Sequence, residues 1–303
     1  MRQVIVLPHI KVHNANALSS PYTIGFPAMT AWLGAVHALQ RHLNEEFEEL
    51  EFKGTAVACH SIQLKTYKGE SDYVSSIIGT ANPLVPDKKC QNKWNAPFVR
   101  PPFVEEARCS LDSTLVIEYS GIDQDKIEEF FSMVEIKLHS RMKIAGGDIL
   151  AFKSPEIVKI DNAEKFFELR RKLMPGYILV ERRDLMQPAM EHGRDCIDAL
   201  LDYLKIYHKS SEPDKDGQSI WESTRKAPGW IVPIATGFHG IAPIGPAKNQ
   251  RDQTTPHRFA ESVVTLGEFL MSYRIQNLDE MLWHYSYYPQ ANLYLCEQEP
   301  NNN

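Results

Sequence analysis

Apolar residues alternate from Gln3 to Val12, with Val4, Val6, Ile10 and Val12 on one side and Ile5 and Leu7 on the other, which predicts a strand. Pro8 cannot donate to a central ladder, so a bulge or break is expected there. A loop dense in Asn, Ser, Gly and Pro follows, the residue types that turn the chain and bond its backbone locally. Pro27 suits the first position of a helix. Met29, Trp32, Leu33, Val36, Leu39 and Leu43 then recur at helical spacing as a packing face. Thr30, Gly34, His37 and Arg41 fall on another face.

Phe52 to Leu64 reads as a second strand, after a solvated turn holding Glu45, Glu46, Glu48 and Glu49. A long irregular stretch, about 65–102, comes next and carries Lys88, Lys89, Lys93 and Trp94. Loops of that length are functional or disordered in compact domains, and this one fits an RNA contact or a mobile insertion. Phe103 to Ser120 resumes strand character. Ile127, Phe130, Phe131, Val134 and Leu138 mark a second helix behind a candidate cap at Asp123, and Asp148 to Phe152 a short strand. Strand, helix, strand, strand, helix, strand is the split βαβ, ferredoxin-like order shared by RNA-recognition folds. The expected class is therefore α+β, with a ferredoxin-like βαββαβ palm over residues 1–155 and a mixed α/β region over 156–303.

That second region predicts a helix over Ala163–Leu173, capped near Asn162 and stopped by Pro175-Gly176. A strand at 177–180, a helix through Ile197, Leu200, Leu201 and Leu204, a linker at 210–217 and a strand at 230–234 follow. Two further helices are expected around Ser262–Leu270 and Leu278–Tyr285.

Composition narrows the function classes. The chain has 303 residues, 43% hydrophobic and 24% charged, which is globular rather than disordered. Thirty-three basic against 39 acidic residues leave a net charge of −6, the wrong sign for a free-standing nucleic-acid binder but open to a local basic groove in a larger assembly. Five scattered cysteines without zinc-ligand spacing suit free thiols in a reducing compartment. The N-terminal apolar run is too short for a signal peptide and no stretch is long enough to span a membrane, so a cytoplasmic location is expected.

Eleven histidines form no paired-ligand motif, and the nucleophile elbow and P-loop are missing. No catalytic residue, metal site or cofactor is assigned. Metal-independent RNA cleavage needs only a placed proton acceptor, which His13, His37 or Tyr22 could supply. Gly146-Gly147, flanked by Arg141 and Lys143, fits either a plain turn or a phosphate contact, since glycines admit a close backbone and cations favour phosphate.

A resemblance joins these fragments. Asn14-Ala15-Asn16-Ala17-Leu18-Ser19-Ser20-Pro21, Gly25-Phe26-Pro27 and Gly34-Ala35-Val36-His37-Ala38-Leu39-Gln40-Arg41 closely resemble the Csy-two family, the Cas-five-like component of type I-F CRISPR surveillance complexes. The likeness continues in the same order through Ala145-Gly146-Gly147, Leu173-Met174-Pro175-Gly176-Tyr177, Pro228-Gly229-Trp230-Ile231-Val232-Pro233-Ile234, Thr255-Pro256-His257-Arg258-Phe259 and Leu282-Trp283-His284-Tyr285. The stretches at 65–102 and 210–220 are unmatched.

The resemblance implies a repeat-associated RNA-binding palm with a thumb-like addition, and a non-catalytic subunit. It implies pairing with the large type I-F subunit, hold on the 5′ handle of the CRISPR RNA, contact with the first backbone subunit, and target DNA nearby. RNA-contact residues expected on that basis are Gly146 and Gly147 with Arg141 and Lys143, then Asn14, Asn16, Ser19, Ser20, His37 and Arg41, then Arg251 and Arg258, with Trp230 as a stacking surface. The alternatives are a Cas-five-like endoribonuclease that cuts repeat RNA, and a scaffold that touches no RNA.

Overall fold

A computed structural model describes residues 2–79, 84–86, 97–99, 106–212, 219–250, 252 and 254–298. Lys88, Lys89, Lys93, Trp94 and Arg251 lie outside the described residues. In chain order the principal elements begin with β1 (Arg2–Asn16), α1 (Met29–Leu43), β2 (Glu51–Leu64), β3 (Arg108–Ser120) and α2 (Ile127–Ser140). They continue with β4 (Lys143–Ile144), β5 (Gly147–Ala151), β6 (Glu156–Ile160), α3 (Ala163–Leu173) and β7 (Tyr177–Glu181). Then come α4 (Gln187–Glu191), α5 (Cys196–Leu204), β8 (Ile231–Gly240), β9 (Ala260–Met271), β10 (His284–Tyr288) and β11 (Leu293–Glu297). No helix among the described residues is long and apolar enough to cross a membrane.

The expected ferredoxin-like palm with a thumb-like region is corrected by the sheet. All eleven strands form one antiparallel sheet, in the order β4-β5-β1-β3-β2-β7-β9-β8-β11-β10, with β6 also paired to β1. The first elements do alternate as their apolar spacing predicts, yet β2 is not an edge strand. It pairs onward with β7 through Tyr177↔Cys59 and Ile178↔Ala58, which carries the ladder into the C-terminal half.

Both faces of this sheet are covered. Helix α1 lays Met29, Trp32, Leu33, Val36, Leu39 and Leu43 on one face, all buried as their spacing predicts, together with Phe130, Val134 and Leu138 of α2. The opposite face packs Val4, Val6, Ala56, Ala58 and Val116 under Phe166, Leu169 and Leu173 of α3. Helix α3 keeps the expected bounds because the Asn162 side chain accepts from the Lys165 N–H at 2.9 Å.

Strand β1 faces differ from the simple alternation. Leu7 opposes Leu115 and Ile10 opposes Ser113, so β1 carries one extra residue at Pro8–His9, the bulge expected from Pro8. One extra residue exchanges the two faces. Ile10 and Val12 therefore join Ile5 and Leu7 under α1, rather than Val4 and Val6. A second bulge between Val12 and Ala15 brings Ala15 and Ala17 to the same face.

Two expected helices are corrected. Residues 260–271 form β9, in which Thr265 to Phe269 are buried consecutively. A strand covered on both faces reads as an unbroken apolar run, and periodicity alone cannot separate it from a buried helix. Residues 278–283 are an irregular inserted segment. Leu278, Met281 and Leu282 enter the α3-side core, whereas Trp283 enters the α1-side core, fully buried. Trp283 exchanges both backbone hydrogen bonds with Thr55 (2.9 and 3.0 Å), and its indole donates to the Leu179 carbonyl at 3.0 Å. It thus bridges β2 and β7 just beyond their two paired positions. Replacing Trp283 by Ala is expected to lower stability by about 3–5 kcal/mol, read as a shift in the urea midpoint; a shift below about 1 kcal/mol would show that the seam closes without it.

Candidate nucleic-acid interface

The loop after β1 is built from local polar bonds. Asn14 adopts φ +62°, a conformation Asn tolerates better than most residues, at the second bulge. Its side-chain oxygen accepts from the Lys65 ammonium at 2.6 Å, and its carbonyl accepts from Arg108 at 3.3 Å. Asn16 accepts from the Leu18 N–H at 2.9 Å, while Ser19 and Ser20 both bond the Thr23 hydroxyl (2.9 and 2.7 Å). Phe26 closes the loop by packing on Trp32 and Phe269.

The turn joining β4 to β5 docks against this loop. Ala145 (φ +49°) and Gly146 (φ +72°) form a two-residue hairpin of the primed type, whose twist matches the flanking strands. The Asn16 N–H donates to the Ala145 carbonyl at 2.8 Å. The two glycines do different work. A Cβ on Gly147 would lie 2.7 Å from the Ala15 nitrogen and 2.8 Å from the His13 carbonyl, so the close backbone there is the chain's own. Gly146 is exposed, and its missing side chain opens toward the Arg108 guanidinium.

Between loop and turn lies an open cavity of about 440 Å³, lined by Asn16, Ser19, Glu106, Arg108 and Gly146 and by Ala28 at the start of α1. Asn16 and Arg108 are direct cross-strand neighbours. Three of the expected RNA-contact residues therefore converge, and Asn14 supports them from beneath. Ser20 is buried behind Ser19. Arg141 and Lys143 are exposed nearby in sequence, Lys143 paired with Asp148. His37 and Arg41 are exposed farther along α1, outside the cavity lining. Trp230 is half-exposed and packs on Tyr177 and Phe269, and Arg258 is bonded to Asn292 at 2.8 Å under Gly240; neither lines the cavity. Arg108 and Lys65 went unmarked in the sequence. The available signal was a lone cation, Arg108, at the polar positions of a strand whose Cys109 and Leu111 point inward.

One other polar cluster lies on the sheet face away from α1. His9 bonds Asp112 at 3.0 Å, His60 bonds the Thr114 hydroxyl at 2.7 Å, and the two imidazoles stack 4.2 Å apart. Burial, then His9, pushes the His60 imidazole below its ordinary value. Their ligand-capable atoms lie within 4.8 Å of one another. The face-to-face rings run their in-plane lone pairs side by side rather than converging, which suits a hydrogen-bonded pair better than metal ligands.

Comparison with known proteins identifies the lineage. The family model for CRISPR-associated protein (Cas_Csy2) matches residues 5–296. The chain belongs to the Csy2 family. It is 31% identical over 319 residues to the CRISPR-associated protein Csy2 of Pseudomonas aeruginosa (strain UCBPP-PA14), covering 96% of this chain and 94% of that protein. The resemblance read from the sequence, to the Csy2 subunit of type I-F CRISPR surveillance complexes, therefore stands.

The contrast between the glycines is testable. Gly147→Ala is expected to cost about 2 kcal/mol or more, because backbone must move. Gly146→Ala meets only the Arg108 guanidinium, at an ordinary contact distance of 3.9 Å, and is expected to cost about 1 kcal/mol for the left-handed φ. Equal urea-midpoint shifts for the two would contradict the docking of the turn on β1.

Proposed function

We propose that this Csy2-family chain is a non-catalytic subunit of a type I-F CRISPR surveillance complex. It holds the 5′ handle of the CRISPR RNA together with the large subunit, beside the first backbone subunit, so that the assembled guide recognises foreign DNA in the cytoplasm. The observation that carries this reading is the convergence of Asn16, Ser19, Gly146 and Arg108 on one open cavity. Amide, hydroxyl and guanidinium donors in one recess suit phosphate and sugar oxygens. The net charge of −6 fits a subunit that adds a few cations to a shared groove rather than one that captures RNA alone.

The endoribonuclease alternative finds less support. His13 bonds Ser110 at 3.3 Å on the sheet face away from α1, His37 is exposed on α1, and neither these nor Tyr22 lines the cavity, so none of the three is placed as proton acceptor for RNA seated there. Co-expression with the large subunit and a CRISPR RNA is expected to yield a stable ribonucleoprotein, and repeat RNA incubated with the purified chain in EDTA is expected to stay intact. Loss of the chain from the purified particle would sink the first expectation. Specific cleavage abolished by His13→Ala would replace it with the enzyme.

A further inference from the structure

The chemistry of the cavity separates two kinds of RNA contact. Among the described residues no lining side chain is aromatic, so they offer a base no ring to stack on. The charged lining groups among the described residues are Arg108 and Glu106. Arg108 is four-fifths buried, with 20% of its side chain exposed, and its Nε is buried without a hydrogen-bond partner. One terminal nitrogen reaches the Asn14 carbonyl and the other is paired with the Glu106 carboxylate. The first turn of α1 adds to the positive potential: Ala28 offers no side-chain cap and no acidic residue follows it.

A guanidinium fork takes carboxylate and phosphate oxygens with the same planar geometry. Resting on the handle-holding role proposed above, we infer that this cavity seats one internucleotide phosphate of the RNA, with Arg108 as its cation, and that Glu106 is an internal carboxylate which the phosphate displaces. In the RNA-free chain the ion pair keeps Arg108 neutralised and oriented, and the acidic partner is two residues away on the same strand approach. Phosphate entry exchanges one anion for another at a guanidinium already held by Asn14. Asn16 and Ser19 then face the phosphate's remaining oxygens or the adjoining sugar, and Gly146 leaves the approach open. Recognition at this point is of the backbone, not of a base.

The test titrates fluorescein-labelled 5′-handle RNA with the full chain, co-purified with its large partner, across a salt series. Glu106→Gln removes the competing charge and is expected to tighten binding several-fold. Arg108→Gln is expected to weaken it about tenfold and to reduce the slope of log affinity against log salt by about 0.7, the loss of one phosphate contact on a single strand. Arg108→Lys keeps the slope but recovers only part of the affinity, because the fork is lost. If wild type binds RNA but Glu106→Gln binds no tighter, or Arg108→Gln leaves the slope unchanged, the phosphate seat is refuted while the handle-holding role survives. If Arg108→Gln fails to fold, Glu106→Gln alone decides. If the wild-type assembly binds no RNA, both readings fall together.

Discussion

Strand β1 must bury Ile5, Leu7, Ile10, Val12 and Ala15 on the face beneath α1, with Ala17 just beyond it, and strict two-residue alternation cannot place them all there. The sheet resolves this with an extra residue at Pro8–His9 and another near Asn14, at each of which the backbone turns left-handed. The site follows from the second of these. The bulge at Asn14 turns its carbonyl toward Arg108 and its amide toward Lys65. It also brings Ala15 so close to the β4–β5 turn that only glycine fits at 147. The cavity is what remains between a bulged strand, a hairpin pressed against it and the uncapped start of a helix.

The same economy of pairing appears at the middle of the sheet. Two residue pairs join β2 to β7. Beyond them Trp283 takes over, bonding Thr55 through its backbone and Leu179 through its indole. An indole fits because it fills buried volume at the seam while its N–H donates to the Leu179 carbonyl. The segment 278–283 thus ties the last third of the chain to the second strand, and its apolar residues serve both faces of the sheet.

This division explains what could be read from the residues. The amphipathic helices α1, α2 and α3 were legible because each is covered on one side only, so apolar spacing carries the signal. Strand β9 was not, because burial on both faces erases the period, and its Glu268, a residue type that marks a surface, is buried against Arg182. Nor could a local pattern disclose that β2 continues to β7, since that pairing spans more than a hundred residues. Asn16 and Ser19 were legible as turn-formers in one loop and Gly146 as half of a distant glycine pair, and only the family resemblance joined them. Arg108 was hidden because its importance lies in a cross-strand neighbour, Asn16, rather than in its own surroundings along the chain.

Charge distribution connects the fold to the need for partners. Asp202 alone holds Arg194, Lys205 and Lys226, and these cations keep its carboxyl well below the usual range. Arg182 is tied to Glu268 and Asp184, and Arg183 to Glu181 and Glu297. Cations committed in this way contribute little field at a distance, an acidic balance offers a polyanion no net attraction, and what field remains is screened beyond a Debye length of about 8–10 Å. Under the proposed role, attraction for RNA would be confined to places where a guanidinium can exchange its carboxylate for a phosphate at short range. A subunit so built gains little from long-range steering and much from having the strand delivered to it. That is a physical reason why the proposed hold on RNA would operate inside a multi-subunit complex rather than in the chain alone.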